Sequence, residues 1–144
     1  MISKSCKYAI RAAVFVTSKA GENTKLSVKA IAAEIEAPLA FTGKILQILT
    51  KHKIISSLKG PYGGFYVESY QFDIPVLDIV NAVDGLTVFK GCVMGLHQCT
   101  DEHPCPMHFE YSKTRTILLK SFQENTLGSL AAKLNLGESF LTNP

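Results

Sequence analysis

Apolar residues recur at helical spacing through most of the chain. Between Ser3 and Lys19, Cys6, Ala9, Ile10, Ala13 and Thr17 follow the i, i+3, i+4 rule, and Tyr8, Ala12 and Phe15 add a second stripe. This predicts an amphipathic helix with a broad buried face, ended by Gly21. Ser27 offers an N-cap to a short helix lined by Val28, Ile31, Ala32 and Ile35, and Pro38 starts a third helix after a brief turn. In that helix Leu39, Thr42, Ile45, Leu46, Ile48 and Leu49 point inward, leaving Ala40, Phe41, Gly43, Lys44, Gln47 and Lys51 outward. Two short helices joined by a tight turn, the second with small, amide and basic side chains on its outer face, describe a helix-turn-helix.

Ile54 to Lys59 next reads as a strand, Gly60-Pro61-Tyr62-Gly63-Gly64 as a turn and Phe65 to Val67 as the returning strand. A helix-turn-helix followed by a hairpin is a winged helix, so the expected fold class is mostly α with a small β-hairpin wing. Pro75 begins a helix with Val76, Ile79, Val80 and Val83 on one face, closed by Asp84-Gly85. A longer helix runs from about Met107 to Gln123, with Tyr111, Arg115, Leu118 and Phe122 on one ridge, Thr114, Ile117 and Lys120 beside it, and Leu119 on another side. One small domain cannot easily cover a projecting helix that is apolar on more than one side, so a second copy is the expected cover and a two-fold homodimer the expected assembly. Thr126 caps a last short helix carrying Leu127, Leu130, Ala131 and Leu134. The resulting division is a winged helix-turn-helix over 1–85, a cysteine-rich loop over 86–108, a dimerisation helix and short C-terminal helix over 107–134, and a polar tail over 135–144.

Composition narrows the function. With 144 residues, 47% of them hydrophobic, the chain can bury one good core and is too apolar to be disordered. There is no run of eighteen apolar residues and no signal-peptide core with a small-residue cleavage site, so the expected location is the cytoplasm, with no membrane partner. The net charge of +3 is unevenly spread: residues 1 to 65 hold ten Lys/Arg against three Glu, and residues 66 to 144 hold five against nine Asp/Glu. A basic front half points to a polyanion, and with a helix-turn-helix that polyanion is duplex DNA. The expected DNA-facing set is Ala40, Phe41, Gly43, Lys44, Gln47 and Lys51 on the recognition helix and Lys59, Gly60, Pro61, Tyr62 and Gly63 on the wing.

Candidate chemistry is concentrated between Cys92 and His108. Three of the four cysteines and three of the four histidines fall there, spaced C-x6-C-x5-C-x2-H in a stretch rich in Gly and Pro. Thiolates and imidazole are soft or borderline ligands, so Cys92, Cys99, Cys105 and His108 brought together suit an iron-sulfur cluster or a zinc ion. Free thiols in an irregular loop, a redox-sensing thiol set or a disulfide are the alternatives, though a reducing compartment disfavours the disulfide. His97 and His103 read as exposed loop residues, His52 as a phosphate contact or plain surface residue, and Cys6, by its helical phase, as a small core residue. No nucleophile with an oriented base and no phosphate-binding glycine motif is legible, so the chain is not expected to be an enzyme. A small metal-binding redox or interaction protein without DNA binding is the reading from another class; it has no need of a basic front half.

Several segments then resemble one family. Ser3-Lys4-Ser5-Cys6-Lys7-Tyr8-Ala9-Ile10-Arg11-Ala12, Ile45-Leu46-Gln47-Ile48-Leu49, Lys59-Gly60-Pro61-Tyr62-Gly63-Gly64-Phe65, Val80-Asn81-Ala82-Val83-Asp84-Gly85 and the three-cysteine loop are similar, in one consistent order, to the Rrf2-type winged-helix transcription regulators. The resemblance implies a homodimeric regulator, expected to repress, that reads a roughly palindromic operator with a recognition helix and a wing. It also implies that Cys92, Cys99 and Cys105 hold an iron-sulfur cluster that modulates binding, with His108 in the place of the histidine that completes a 2Fe-2S site in IscR-like members. The chain departs from the pattern in three places. Cys92 and Cys99 are separated by six residues where the better-known sensors have five. Lys7 lies near the position from which NsrR-like members recruit an acidic ligand. Gly43 and Lys44 give the recognition helix its own face.

Overall fold

The first helix gathers the others around it. The computed structural model describes residues 1–21 and 23–144, and in it α1 spans Lys4–Ser18. Ser3 caps it, its hydroxyl oxygen accepting from the Cys6 amide at 3.0 Å. Ala9, Ala12 and Ala13 have no exposed surface, and Val14, Phe15 and Val16 have almost none. Alanines on the buried face let neighbouring helices approach closely, and a helix with apolar residues most of the way round must be enclosed on several sides. α2 (Val28–Glu34), α3 (Leu39–Lys51), α4 (Val76–Val83) and α6 (Leu127–Asn135) all pack on it.

Local signals set the boundaries as the pattern predicts. The Ser27 hydroxyl accepts from Ala30 N–H at 3.1 Å to start α2, and Thr126 and Ser129 form a reciprocal capping box at the head of α6. Pro38 stands at the N-cap of α3, whose Thr42, Ile45, Leu46 and Leu49 are buried. Leu39 corrects the inward set. It has the right helical phase but stands in the first turn, where it projects past the packed layer and stays 55% exposed. Phe41, expected outward, is half-buried because its ring meets the Tyr8 ring edge-on, with centroids 5.5 Å apart.

The wing is shorter than its apolar run suggests. β1 is Ser56–Leu58 and β2 is Gly64–Tyr66, paired antiparallel with Ser57 opposite Phe65. Ile54 and Ile55 belong instead to the core, because the chain leaves α3 through Lys53 at φ 57° and turns both side chains inward before the strand begins. Leu26 extends the sheet, exchanging two 2.8 Å backbone hydrogen bonds with Phe65. Gly64 at φ 148° makes this approach feasible, since a Cβ there would lie 2.7 Å from the Leu26 carbonyl oxygen.

After the wing a 3-10 turn, Ser69–Asp73, carries Gln71 into the interior with no exposed surface. Its amide oxygen accepts from Glu68 N–H at 2.8 Å and from the Ser56 hydroxyl at 3.1 Å, while its Nε2 donates to the Lys53 carbonyl at 3.0 Å. One side chain thus ties the end of α3, the start of the wing and the exit from it. The sequence pattern gave no sign of this.

α5 (His108–Glu124) has no fully buried residue. Met107, expected inside it, is its N-cap. Leu118, Leu119 and Phe122 lie on a second apolar cluster of the same chain, formed by Cys6, Val80 and Phe89, so part of the ridge expected to face a second copy is covered from within. Ile117 and Phe109 remain 68% and 54% exposed. α6 returns to the main core: Leu127 and Ala131 are buried, and the backbone of Ile74 to Val76 pairs with Asn125 to Leu127. The tail is not wholly polar in its packing, since Leu141 also lies against that core. Among the described residues no helix is long and apolar enough to cross a membrane.

Replacing Gln71 with leucine would leave the Lys53 carbonyl and the Glu68 amide without these partners. The expected loss is about 3 kcal/mol of unfolding free energy, read from the urea midpoint at unchanged slope. A variant as stable as the parent would refute the role of this plug.

Candidate metal centre and nucleic-acid surface

The four candidate ligands come from a loop and the first residue of a helix. A 3-10 turn, Thr87–Phe89, buries Phe89 and delivers the chain through Lys90 and Gly91 to Cys92. The loop then folds back so that Cys105 stands three residues before α5 begins at His108, and His108 N–H donates to the Cys105 carbonyl at 3.0 Å. The six-residue spacer from Cys92 to Cys99 is taken up by a turn at Gly95, which has φ 74° and donates its N–H to the Cys92 carbonyl at 3.0 Å.

All three thiols converge. The Sγ atoms of Cys92, Cys99 and Cys105 lie within 4.8 Å of one another, and Cys92 and Cys105 are 3.6 Å apart. His108 joins them with its Nδ1 3.1 Å from Cys99 Sγ. Its other nitrogen, Nε2, is 2.7 Å from Asp101 Oδ1, a position in which a proton on Nε2 is donated to the carboxylate and Nδ1 keeps its lone pair facing the sulfur. The four cysteines are free thiols, and the 3.6 Å separation exceeds the length of a disulfide by more than an ångström. His97 and His103 are exposed, and His52 caps α3 with Nδ1 3.1 Å from the Ile48 carbonyl.

The thiols are not equivalent. The Leu96 amide, together with the Met94 amide and the neighbouring Cys105 and Cys99 side chains, lowers Cys92 to about 7 against the opposing effect of desolvation. Desolvation raises Cys105, which is 7% exposed. Cys6, away from this group, is pushed up to about 12 by burial and by the Asp84 carboxylate, as befits a small core residue. The four candidate ligands line one small pocket together with three residues that ligand spacing did not single out: Val93 of the loop, and Tyr111 and Arg115 of α5. His108, Tyr111 and Arg115 follow each other at i, i+3 and i+7, so helical phase was the signal that could have placed them together.

The basic face lies elsewhere. Ala40, Lys44, Gln47 and Lys51 are exposed on α3, with Gly43 half-buried where a Cβ would lie 4.0 Å from Val28 Cγ1. Lys59, Gly60, Pro61 and Tyr62 are exposed at the wing tip, Tyr62 at 91%, and Gly63 is half-buried where a Cβ would strike the Leu58 carbonyl. Lys25 stands 5.5 Å from the Tyr66 ring centre at the root of the wing.

A helix-turn-helix with an exposed basic second helix and a glycine-shaped wing defines a winged-helix DNA-binding protein. The chain matches the family described as "Rrf2: Iron-dependent Transcriptional regulator" over residues 2–133, and it belongs to that family of transcriptional regulators. It is 24% identical over 143 residues to a protein of Aquifex aeolicus named as an HTH-type transcriptional regulator, covering 98% of this chain and 96% of that one. Protein rrf2 of Nitratidesulfovibrio vulgaris is 29% identical over 97 residues, which are 67% of this chain and 60% of the other. Among solved structures, CymR, the global cysteine regulator of B. subtilis, superposes with a TM-score of 0.76 at 21% identity over 92% of this chain and 96% of that one. IscR of T. potens does so with a TM-score of 0.72 at 19% identity, over 96% and 91% respectively. These superpositions agree with the winged-helix architecture expected from the sequence, and the family is one of regulators rather than enzymes.

Metal-free protein treated with iodoacetamide near pH 7 is expected to react first at Cys92, which is partly exposed and lowered to about 7, and last at Cys6. Peptide mass mapping over time reads the order. Early modification of Cys6 in folded protein would contradict its burial.

Proposed function

We propose that this regulator binds its operator as a homodimer and that an iron-sulfur cluster of the 2Fe-2S type, held by Cys92, Cys99, Cys105 and His108, modulates that binding. One observation carries the reading: the donors stand as two close pairs, Cys92 with Cys105 at 3.6 Å and Cys99 with His108 at 3.1 Å. Two irons bridged by sulfide require two ligands each, and a histidine can take a thiolate's place at one of them. The family's description as iron-dependent supports the same metal. When bound, such a cluster supplies one-electron redox chemistry and sensitivity to oxidants and to iron supply. The chain's own residues do the rest: Asp101 holds the His108 tautomer, and the Met94 and Cys105 amides, each 3.4 Å from a cysteine sulfur, offer hydrogen bonds to Cys92 and Cys99.

Recognition falls to residues 1–85. Gln47 and Lys44 on α3 face the bases and backbone of the major groove, Ala40 and Lys51 flank them, and Lys59 to Tyr62 lie along the adjacent backbone. A second copy packs along α5, where Ile117 and Phe109 are exposed, and the paired heads read a roughly palindromic site. Residues 86–108 sit between the two tasks. Cluster loading shifts operator affinity only through a difference in cluster affinity between the DNA-competent and incompetent arrangements. Repression is the expected outcome at a promoter, and the cytoplasm the expected location.

A single tetrahedral zinc ion is the second reading. With Zn–S bonds near 2.3 Å, thiolate pairs stand about 3.8 Å apart, close to the Cys92–Cys105 separation of 3.6 Å.

Protein purified without oxygen is expected to be coloured, with iron and acid-labile sulfide in equal amounts, and Cys99→Ala to be colourless. Stoichiometric zinc without sulfide would favour the second reading, and a full chromophore in Cys99→Ala would remove the ligand set. For recognition, Lys44→Ala and Lys59→Ala are each expected to lower the slope of log affinity against log salt by about one unit on every duplex tested. Unchanged slopes would displace the interface from α3 and the wing.

A further inference from the structure

Arg115 is placed where a charge matters. It lines the same pocket as Cys92, Cys99, Cys105 and His108, and its Cζ lies 5.6 Å from the centre of the Tyr111 ring. Its Nη1 donates to two main-chain carbonyls, Lys90 at 2.7 Å and Gly91 at 2.6 Å, just before the first cysteine. Among the described residues no carboxylate pairs with it: the ion pairs are His108 with Asp101, Lys113 with Glu110 and Lys120 with Glu124. Neutral carbonyls hold a guanidinium in position without cancelling its charge. The result is an uncompensated cation fixed beside a group of thiols.

Resting on the cluster reading, we infer that Arg115 is the charge-compensating residue of the cysteine centre, favouring its more negative, reduced state and holding the main chain that leads into it. An oxidised 2Fe-2S core carries two positive charges. Three thiolates and a neutral imidazole bring the site to a net charge of minus one, and one electron from an external reductant takes it to minus two. A fixed cation stabilises the second state more than the first, the more so where the surroundings are poor in water. Arg115 therefore makes the cluster easier to reduce. It acts through its charge and is not a ligand, since its hydrogen bonds go to the main chain and not to a ligand sulfur. Through Lys90 and Gly91 it also meets the chain next to buried Phe89, which packs in the same cluster as Cys6 of α1.

The test compares anaerobically purified parent, R115Q and R115K, titrated with dithionite against redox dyes and followed by visible absorption. R115Q is expected to lower the reduced-to-oxidised ratio at a fixed potential by about tenfold, equivalent to 59 mV for one electron, while R115K stays near the parent. Lysine keeps the charge but loses the planar fork, so this split separates electrostatics from main-chain anchoring. Equal potentials in parent and R115Q would overturn the inference and leave the cluster reading standing. R115K shifted as far as R115Q would overturn it in favour of a purely anchoring role. A parent with no sulfide and no chromophore would sink the cluster reading and this inference with it. Should R115Q fold by circular dichroism yet hold no cluster, sulfide per chain in R115K decides: recovery of loading supports charge compensation, and no recovery overturns it.

Discussion

Close packing on α1 is the constraint from which the rest follows. Eight of its fifteen residues are buried, and Ala9, Ala12 and Ala13 present almost no side chain between the helix backbone and its neighbours. The recognition helix, the helix before the cysteine loop and the last helix of the chain therefore share one support. α6 is instructive here: it arrives after the projecting α5, yet Leu127 enters the same core as Ala9 and Leu46. The segment that carries the cysteines and α5 is thus an excursion from the DNA-binding head, fastened to it at both ends.

The fastening is specific. Asp84, at the end of α4, accepts from both the amide and the hydroxyl of Ser3, so a carboxylate sits at the positive end of α1 and joins it to the start of the loop. Beneath that contact Cys6, Val80 and Phe89 are buried together, with Phe122 of α5 meeting Phe89 edge-on at 5.5 Å. This small cluster packs α1 and α4 against the turn at Phe89 and against α5. The segment leading into the loop thus meets α1 through Phe89.

The cysteine centre and the DNA surface obey opposite electrostatic demands. On the proposed DNA surface Lys44, Lys51 and Lys59 are exposed, and exposed lysines can exchange counterions for phosphates, which suits reversible, salt-dependent binding. Around the cysteines, by contrast, the polar groups are tied. His108 is held by Asp101, Arg115 by two carbonyls, and Cys92 and Cys99 lie near backbone amides. Held dipoles and charges set the properties of a bound group without having to reorganise around it.

The sequence by itself determined the elements and most of their boundaries. Periodicity located the helices, Ser27 and Thr126 marked helix starts by a local hydrogen bond, and Gly60 to Gly64 marked the wing, because each of these signals acts within a few residues. It also set apart Cys92, Cys99, Cys105 and His108 as a candidate ligand group, since chemistry and spacing are both written in the chain, and the structure brings these four side chains together. What only the tertiary structure decided depended on residues far apart in sequence. Gln71 became a plug because Lys53 and Ser56 stand beside it, and Phe41 turned inward because Tyr8 of α1 lies across from it. Ile54 and Ile55 left the strand for the core, and Leu118 found a partner in its own chain. Arg115 faces the thiols because α5 is laid against the 3-10 turn of Phe89, and helical phase alone could not say which surface would lie opposite. Burial is a property of the assembled neighbours, and one-dimensional periodicity specifies only which face of an element is able to receive them.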